Sequence, residues 1–456
     1  MLKEKCSFCR ELELDDGSDR CIFHCEKDSW VTKHDPSNDK FDLGTEVIYY
    51  WDEEKVQKFW KKFKKLIEKK DLSKEESYDR FHGFIFPKIE QDTFKNYTFN
   101  CDLVFTKDCI FEGDINFFQT IFNKQIYFND CKIKGKVCFG KSIFKDRFTF
   151  NNMKEIKEVF FKHAEFKEKV EFKESSCKKV DFENAIFEKL ADFYRTKFYK
   201  VNFEKTDFKD IAVFSEAEFY CDVDFRYTKF LGTSIFRDTV ITGKLDLKNS
   251  IFKDEANFLD IKLSKVESRE TARKIKDSFE KQNNIIEANK FYALEMKERE
   301  KELEEDLKKG KNFFEWLVFK IHGISSNHSQ DWLLALFLII SFTFLSVFIE
   351  KIFNSSSGLV DKYILSLIMF VGITFINFYI ANTKKAYYLI SIFIYYFIYS
   401  IFTQDWLLKC FSNKLNPFSI MTGNEELIFS ALIYKIIIAY LIYQFIVSIR
   451  RNTRRK

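Results

Sequence analysis

Glycine and proline are scarce in this chain: its 456 residues include 13 Gly and 3 Pro, against usual frequencies of roughly 7% and 5%. The chain also carries 57 Phe. Because burial of so much aromatic surface favours order, the composition excludes collagen-like, linker-like and Gly/Pro-rich disordered chains. An excess of charge of one sign is lacking too, since 74 Lys and Arg stand against 69 Asp and Glu. This near balance argues against nucleic acid or an acidic partner.

Three further features are missing. The N-terminal segment has no apolar core, so we expect no cleavable signal peptide. The 11 Cys follow no disulfide-like spacing, and we therefore expect reduced thiols in the cytosol. No GxSxG, HExxH, Walker-type or GxGxxG element stands in a suitable context. The sequence therefore predicts a protein that is not an enzyme.

Phenylalanine recurs in phase through the middle of the chain. From Phe94 to Phe258 an apolar residue returns after every five or six positions, at 31 positions of which 26 are Phe. The five exceptions are Ile133, Ile156, Cys177, Ile241 and Leu247. A coding bias can raise the Phe count, but it cannot place the residues in phase. Because neither a helix nor a strand generates this spacing, it is an internal repeat, which is typical of a solenoid.

Two other positions of the repeat are also selective. The residue two positions before the central Phe is mostly small or β-branched, as in Ala185 and Thr206. The residue immediately before it is often Asp, Asn or Glu, as in Asp181 and Asn202. One large and one small inward residue on each short side would allow a square coil to stack without voids.

This pattern resembles the pentapeptide-repeat family, whose motif is A(D/N)Lxx. The segments 191–193 (AlaAspPhe) and 256–258 (AlaAsnPhe) match it with Phe at the centre. The resemblance implies a right-handed quadrilateral β-helix with four repeats per coil, hence about eight coils and a rod of roughly 37 Å. The frequent six-residue steps imply bulged corners. In the stretch 151–160, where Lys154 takes the small position, we expect a loop to interrupt the coil.

The rod needs caps, because both ends of a solenoid expose stacking edges. The apolar residues of 53–70 fall on one helical face and predict an N-terminal capping helix. The sequence then divides into five segments: 1–30, a zinc-ribbon-like N-terminal module; 31–93, a linker and the N-terminal capping helix; 94–258, the pentapeptide-repeat β-helix; 259–330, a helical cap and connector; and 331–456, a four-helix transmembrane domain with a basic cytoplasmic tail.

Four apolar runs near the C-terminus have about the length that crosses ~30 Å of hydrocarbon. They are residues 332–349, 363–380, 386–402 and 427–449. Four spans place both termini on one side, and the basic segments 384–385 and 450–456 indicate that this side is the cytoplasm. The sequence thus predicts a multi-pass protein of the cell membrane, with a cytosolic rod and cytoplasmic N- and C-termini.

Cysteine and histidine pairs at the start of the chain have the spacing of metal ligands. The pattern is Cys6-x2-Cys9-x11-Cys21-x2-His24-Cys25. Two pairs of soft ligands separated by a short loop are what tetrahedral zinc requires. His24 and Cys25 are alternatives for the fourth ligand. We expect a structural zinc module rather than a set of unconnected surface thiols.

One charged residue lies inside a predicted span. Lys435 stands about eight residues into the fourth apolar run, where a charge by default marks a transport path or a partner. The alternative is that the long side chain snorkels to the membrane surface.

Two functions follow from this organisation. The first and favoured one is a membrane-tethered scaffold, in which the rod presents a flat, charge-mixed face to an unidentified protein partner. Mimicry of duplex DNA, known for some pentapeptide-repeat proteins, is not expected, because residues 91–260 contain 29 Lys and Arg and 29 Asp and Glu and so cannot imitate a polyanion.

The second function is a channel or transport-like protein whose spans form a homo-oligomer that the rod regulates or assembles. The order of rod, helical linker and spans is similar to that of bacterial pentapeptide-repeat proteins with an ion-channel pore. A potassium-type filter would need a TxGYG-like strip. The loop 416–426 has Thr422 and Gly423 but no GYG, so potassium selectivity is not expected.

Overall fold

The computed structural model describes residues 5–7, 9, 14, 18–34, 48–68, 81–354, 357–380, 386–417 and 429–453. The chain forms two compact units, Met1–Lys281 and Gln282–Lys456. The first unit contains all the described strands and two helices, whereas the described part of the second is helical.

The first unit is a parallel β-solenoid of about eight turns, with four short sides per turn. A two-stranded antiparallel hairpin precedes it, formed by β1 (Val31–His34) and β2 (Ile48–Trp51). One side of the coil is an eight-stranded sheet, which contains β4 (Thr98–Phe99), β8 (Ile121–Phe122), β12 (Ile143–Phe144), β15 (Glu165–Phe166), β18 (Ile186–Phe187), β22 (Asp207–Phe208), β26 (Lys229–Phe230) and β29 (Ile251–Phe252). The next side is also eight-stranded, with β5 (Leu103–Phe105), β9 (Ile126–Asn129), β13 (Phe148–Asn151), β16 (Val170–Glu171), β19 (Ala191–Asp192), β23 (Ala212–Val213), β27 (Ser234–Ile235) and β30 (Ala256–Asn257).

The other two sides share their longest strands, which run around the corner between them. The third side begins as a three-stranded sheet of β3 (Ile85–Phe86), β6 (Ile110–Phe111) and β10 (Lys132–Ile133). A ten-stranded sheet then covers the rest of both sides, with β7 (Ile115–Asn116), β11 (Val137–Cys138), β14 (Ile156–Phe160), β17 (Ser176–Asp181), β20 (Lys197–Phe198), β21 (Val201–Asn202), β24 (Glu218–Phe219), β25 (Val223–Asp224), β28 (Val240–Asp246) and β31 (Lys262–Val266).

The central Phe of each repeat stacks on the equivalent Phe of the neighbouring coil. The ring centroids of Phe182 and Phe203 are 5.1 Å apart, and those of Phe203 and Phe225 are 4.8 Å apart, with the planes 8° from parallel in both pairs. These separations match the ~4.7–4.9 Å between paired strands. The rings therefore fill the interior of the coil in columns, which is the packing that the five- and six-residue spacing predicts.

Most hydroxyl groups at the small inward position are satisfied inside the coil, although among the described residues the buried Ser234 Oγ has no hydrogen-bond partner. Thr206 Oγ1 donates a hydrogen bond to the Phe182 carbonyl at 2.9 Å, and Thr239 Oγ1 donates to the Phe214 carbonyl at 2.8 Å. Both hydroxyls reach across from one coil to the next. Because a buried hydroxyl without a partner costs free energy, this pairing explains why Thr and Ser can stand where Ala also fits.

The Asp or Asn before the central Phe holds the corner of the coil. Asp181 Oδ1 accepts a hydrogen bond from the Glu183 N–H at 3.0 Å, and Asn202 Oδ1 accepts one from the Glu204 N–H at 2.9 Å. The following residue, Asn184, has a φ of 57°, a left-handed conformation that Asn tolerates better than most residues. The Asp/Asn preference therefore has a backbone cause.

The coil is longer than the segment 94–258 and is continuous through 151–160. At the N-terminal end β3 already pairs in parallel with β6, and at the C-terminal end β31 pairs with β28. Through the stretch where we expected a loop, β14 pairs with β11 and β17. Met153 is fully buried one position before the expected small residue. The exposed Lys154 is thus an inserted residue, and the coil absorbs it without a break.

Helices cover both ends of the coil. At the first turn, α1 (Glu53–Glu68) buries Trp60, whose ring lies 5.3 Å from that of Phe94 and whose Nε1–H donates to the Lys88 carbonyl at 2.9 Å. At the last turn, α2 (Arg269–Lys281) directs Lys274 Nζ to the Ser250 carbonyl at 2.6 Å. Both caps cover apolar surface and bind backbone groups that another coil would otherwise take.

The second unit is a bundle of helices. It contains α3 (Ile285–Lys308), α4 (Phe313–Ser326), α5 (Trp332–Asn354), α6 (Ser357–Ile380), α7 (Ala386–Thr403), α8 (Lys409–Leu415) and α9 (Phe429–Thr453). Its apolar core joins Phe344 and Phe348 of α5 to Phe370 of α6 and Tyr399 of α7. Within the segment 259–330, α2 belongs to the first unit and α3 to the second.

Two of these helices are long and apolar enough to cross a membrane. Among the described residues they are Trp332–Phe353 and Ala431–Thr453, with mean hydropathies of 2.6 and 2.0. Tyr363–Phe375 and Tyr387–Thr403 are shorter apolar helices.

We predict that removing one ring from a column destabilises the coil. The Phe193→Ala variant loses a fully buried ring that stacks on Phe214 at 5.0 Å, and it should lose about 3–5 kcal/mol of unfolding free energy. The control Tyr199→Ala removes an aromatic ring that is 48% exposed and should cost about 0.5 kcal/mol. Denaturant titration of the full chain measures both. Equal losses in the two variants would contradict the stacking account.

Candidate functional site

Three thiols and one imidazole meet at the start of the chain. Cys6, Cys9, Cys21 and His24 bring their ligand atoms within 4.8 Å of one another. Cys9 Sγ lies 3.9 Å from Cys21 Sγ, and His24 Nδ1 lies 3.9 Å from Cys6 Sγ. Sulfur atoms of a tetrahedral zinc centre are separated by about 3.8 Å, given Zn–S bonds of ~2.3 Å. This Cys3His cluster therefore has the donor set and spacing to bind a metal ion.

A tight turn places Cys21 and His24 on the same side of the cluster. The His24 and Cys25 N–H groups both donate to the Cys21 carbonyl at 2.9 Å. A hydrogen bond from the Ser7 N–H to the Asp19 carbonyl, also 2.9 Å, draws the segment with Cys6 and Cys9 against this turn. These backbone hydrogen bonds bring the pair Cys6 and Cys9 and the pair Cys21 and His24 together around one centre.

The histidine is oriented by the coil itself. His24 Nε2 lies 3.1 Å from the His82 carbonyl. Because a carbonyl can only accept, Nε2 carries the proton and the lone pair of Nδ1 faces the cysteines. A carbonyl partner on the second nitrogen is the usual arrangement of metal-binding histidines. The Phe23 ring also stacks on Phe84 with the centroids 4.8 Å apart, which holds the module against the first turn.

Burial favours the neutral forms of two of these groups when no cation is present. Desolvation raises the pKa of the Cys21 thiol to about 12, and it lowers the pKa of His24. A neutral imidazole is the form that binds metals. A bound divalent cation supplies the positive charge that stabilises the thiolates, so metal binding and thiol deprotonation are coupled.

The two alternatives for the fourth ligand lie in different places. His24 belongs to the Cys3His cluster, whereas Cys25 Sγ receives a hydrogen bond from Lys27 Nζ at 3.2 Å. Lys27 is buried, donates also to the Ile22 and Cys25 carbonyls at 2.9 and 2.7 Å, and lies 4.5 Å from the Trp30 ring centroid. No motif in the sequence distinguishes Lys27 from the many exposed lysines, so its burial is visible only in the structure.

Other cysteines and histidines of the first unit are packing or surface residues. Cys109, Cys131 and Cys177 are buried in the coil. Burial raises the pKa of the Cys177 thiol to about 12. The exposed His82 imidazole pairs with Asp108 at 3.2 Å, so this residue serves the cluster through its carbonyl alone.

Lys435 does not reach the surface of the second unit. It is 3% exposed, and Nζ donates to three carbonyls at the C-terminal end of α8: Asn413 at 3.3 Å, Lys414 at 3.1 Å and Asn416 at 2.7 Å. The carboxyl end of a helix carries partial negative charge. The buried ammonium is therefore offset by backbone dipoles. Most of the loop 416–426, where a filter was sought, lies outside the described residues.

We predict that metal content separates the two candidate ligands. The wild type and Cys25→Ser should carry about one divalent metal ion per chain, since a serine oxygen still accepts from Lys27, whereas Cys21→Ser and His24→Ala should lose it. Elemental analysis of the purified full chain measures this. A metal-free wild type, or equal metal in Cys21→Ser and Cys25→Ser, would contradict the assignment.

We also predict that Lys435 holds α8 in place. In Lys435→Met three carbonyls lose a donor, and unpaired buried acceptors cost roughly 1–3 kcal/mol. Hydrogen–deuterium exchange of residues 409–416 should accelerate about tenfold or more, as that free energy implies. Lys409→Met, which changes an exposed lysine of the same helix, is the matched control. Unchanged exchange in Lys435→Met would show that the three bonds do not stabilise α8.

The comparisons with known proteins agree with this geometry. A family model described as pentapeptide repeats, with nine copies, matches residues 182–229 and 203–251. No curated protein and no solved structure matches the chain. The matched segments lie inside the solenoid, on turns where the central Phe stacks in all four columns, and the chain is therefore a pentapeptide-repeat protein.

Proposed function

We propose that this pentapeptide-repeat protein is a non-enzymatic membrane protein whose rod acts as a scaffold for a protein partner. One observation carries the membrane assignment: the helices of the second unit expose large apolar side chains. Phe375 of α6 is 76% exposed, Phe393 of α7 is 66% exposed and Ile436 of α9 is 60% exposed. Water-soluble proteins rarely expose apolar surface this extensive, whereas lipid tails cover it without cost.

The membrane domain that we propose has four spans. Two are the helices long enough by themselves, and the other two are the shorter apolar helices of α6 and α7. Thr343 and Thr374 donate their hydroxyls to the carbonyls of Ile339 and Phe370, four residues earlier, which satisfies these groups within the helix as the hydrocarbon requires. Four spans leave both termini on one face, and Arg450 and Arg451 at the end of α9 favour the cytoplasm.

We assign zinc to the Cys3His cluster, in a structural role. Three thiolates and one imidazole form a closed tetrahedral set, which leaves no coordination position for a substrate. The contacts of Phe23 and His24 with the first turn support a function in capping the solenoid. A metal bound there would stabilise the module against the first turn of the solenoid, whose stacking edge needs a cap.

The charges of the rod pair between coils. Lys162 lies 2.7 Å from Glu183, and Lys209 lies 2.8 Å from Glu188 of the coil before it. Arg226 likewise reaches Glu204 at 3.0 Å. Such exposed pairs add about 0–1 kcal/mol each. Their main consequence is a surface on which positive and negative charges alternate. Such a surface has no excess of one sign to attract or imitate nucleic acid, and it therefore supports a protein partner.

Two tyrosines form the part of the rod best suited to a protein partner. Tyr199 and Tyr220 directly follow the paired strands β20 and β24, with ring centroids 5.0 Å apart, and are 48% and 44% exposed. Tyrosine is enriched at binding hot spots because a rigid amphipathic ring buries much area at little entropic cost. We propose that this tyrosine pair anchors the partner, with the paired charges as the polar rim.

The channel alternative has less support from the geometry. Lys435 is the charged residue that suggested a transport path, and its ammonium donates to three backbone carbonyls. Its burial is thus explained without a conducted ion. We therefore favour an anchoring role for the spans.

We predict that the tyrosine pair is needed for partner recovery. After cross-linking in intact membranes, the Tyr199→Ala/Tyr220→Ala full chain should retain roughly tenfold less bound protein than the wild type, as expected of a hot spot. Ile251→Ala, which shortens an exposed residue of another side of the coil, should retain it all.

Three outcomes would contradict the proposal. Equal recovery with the double variant would remove the tyrosine pair as the anchor. Ion conductance through the purified chain in planar bilayers, abolished by Lys435→Ala, would replace anchoring by the channel function. Extraction of the chain from membranes by alkaline carbonate would exclude the spans.

A further inference from the structure

Helix α4 exposes one continuous apolar face. Its members are Phe313, Phe314, Leu317, Val318, Ile321 and Ile324, each between 38% and 79% exposed. At 3.6 residues per turn these positions cover less than half of the helix circumference. No charged residue stands among them. We call this surface the apolar face of α4.

The opposite face of α4 is bound to the rest of the second unit. Glu315 pairs with Arg299 of α3, and Lys320 Nζ lies 2.6 Å from Glu300. At the end of the helix, Ser326 Oγ donates to Gln444 Oε1 of α9 at 3.0 Å. These contacts fix the rotation of the helix, so the apolar face cannot turn inward without breaking them.

A rigid corner joins α4 to the first long apolar helix. Asn327, His328 and Ser329 have φ values of 47°, 56° and 64°, three consecutive left-handed residues that reverse the chain before α5 begins. His328 and Ser329 are buried. Arg451 donates to the His328 carbonyl at 3.2 Å, and Ser329 Oγ donates to Gln444 Oε1 at 3.1 Å. The apolar face therefore stands at a fixed place beside the start of α5.

Three lysines flank the apolar face at its N-terminal end. Lys308, Lys309 and Lys311 are exposed, and none of the ion pairs among the described residues involves them. Basic side chains beside an apolar helical face are typical of helices that lie in the surface of an anionic bilayer.

We propose that α4 lies in the headgroup region of the membrane, with its apolar face in the lipid and Lys308, Lys309 and Lys311 at anionic phosphates. This inference rests on the proposed membrane function and extends it, because α4 is not a span. Its occupant is a bilayer that contains anionic phospholipid. A second copy of the chain packed in parallel would bring the two lysine clusters near each other, whereas the phosphates of an anionic bilayer pair with them.

Photo-cross-linking in vesicles tests the proposal with the full chain. A diazirine-bearing amino acid is placed at Val318 of the apolar face, at Lys301 of α3 as the polar control, or at Ile436 of α9 as the span control. The purified protein is reconstituted in phosphatidylcholine vesicles with or without phosphatidylglycerol and irradiated, and adducts are identified by mass. Because interfacial helices bury their apolar face ~5–10 Å deep, the Val318 probe should give roughly tenfold more phospholipid adduct than the Lys301 probe.

The role of Lys308, Lys309 and Lys311 is tested separately, by the yield of the Val318 adduct with anionic lipid. In the Lys308→Gln/Lys309→Gln/Lys311→Gln variant, the Val318 adduct with phosphatidylglycerol should fall about tenfold, because basic side chains near an anionic surface are attracted to its phosphates. The adduct at Ile436 should not change. An equal Val318 yield in this variant would overturn the role of the lysines.

Each remaining outcome is decisive. A Val318 probe that links two copies of the chain, or that labels lipid no better than Lys301 while Ile436 labels it, overturns the interfacial helix and leaves the spans intact. Failure of both Val318 and Ile436 to label lipid overturns the membrane function and this inference together.

Discussion

The rest of the first unit depends on the stacking of Phe rings between neighbouring coils. Paired strands stand ~4.8 Å apart, so a side chain that points inward meets the equivalent side chain of the next coil at that distance. A Phe ring stacked on another, as Phe187 is on Phe208 at 4.9 Å, fits this spacing without a void. Most central positions therefore repeat in size along a column, which is why Phe recurs at 26 of the 31 positions.

The same stacking creates the need for covered ends. The first and last coils have a neighbour on one side only, and their rings and backbone groups would otherwise face water. At the last coil, Lys274 of α2 takes the carbonyls that a further strand would have bound. At the first coil, Trp60 of α1 covers the rings, while Phe23 and His24 bring the Cys3His cluster against it. The Cys3His cluster is in this sense part of the cap.

The helical unit follows a different rule, because no repeat governs it. Its core is assembled from aromatic residues of several helices, such as Phe344 and Tyr399 at 5.0 Å. The ammonium of Lys435 and the hydroxyls of Thr343 and Thr374 are paired with backbone carbonyls. Among the described residues, the buried hydroxyls of Ser341, Ser400 and Ser448 have no hydrogen-bond partner. In the function that we propose, lipid covers the exposed apolar side chains of the helices.

The sequence by itself determined the columns of the coil, three cysteine ligands of the cluster and the apolar runs, because each is a matter of spacing along the chain. The tertiary structure decided the rest. His24 rather than Cys25 faces the other ligands, because the second nitrogen of His24 lies against the His82 carbonyl. Every residue has a backbone carbonyl, so the residue types in the sequence do not show which carbonyl will lie there. Lys435 likewise finds backbone carbonyls of α8, about twenty residues away. Met153 keeps the coil unbroken where Lys154 suggested a loop, since only packing against Cys131 at 3.9 Å shows which residue turns inward.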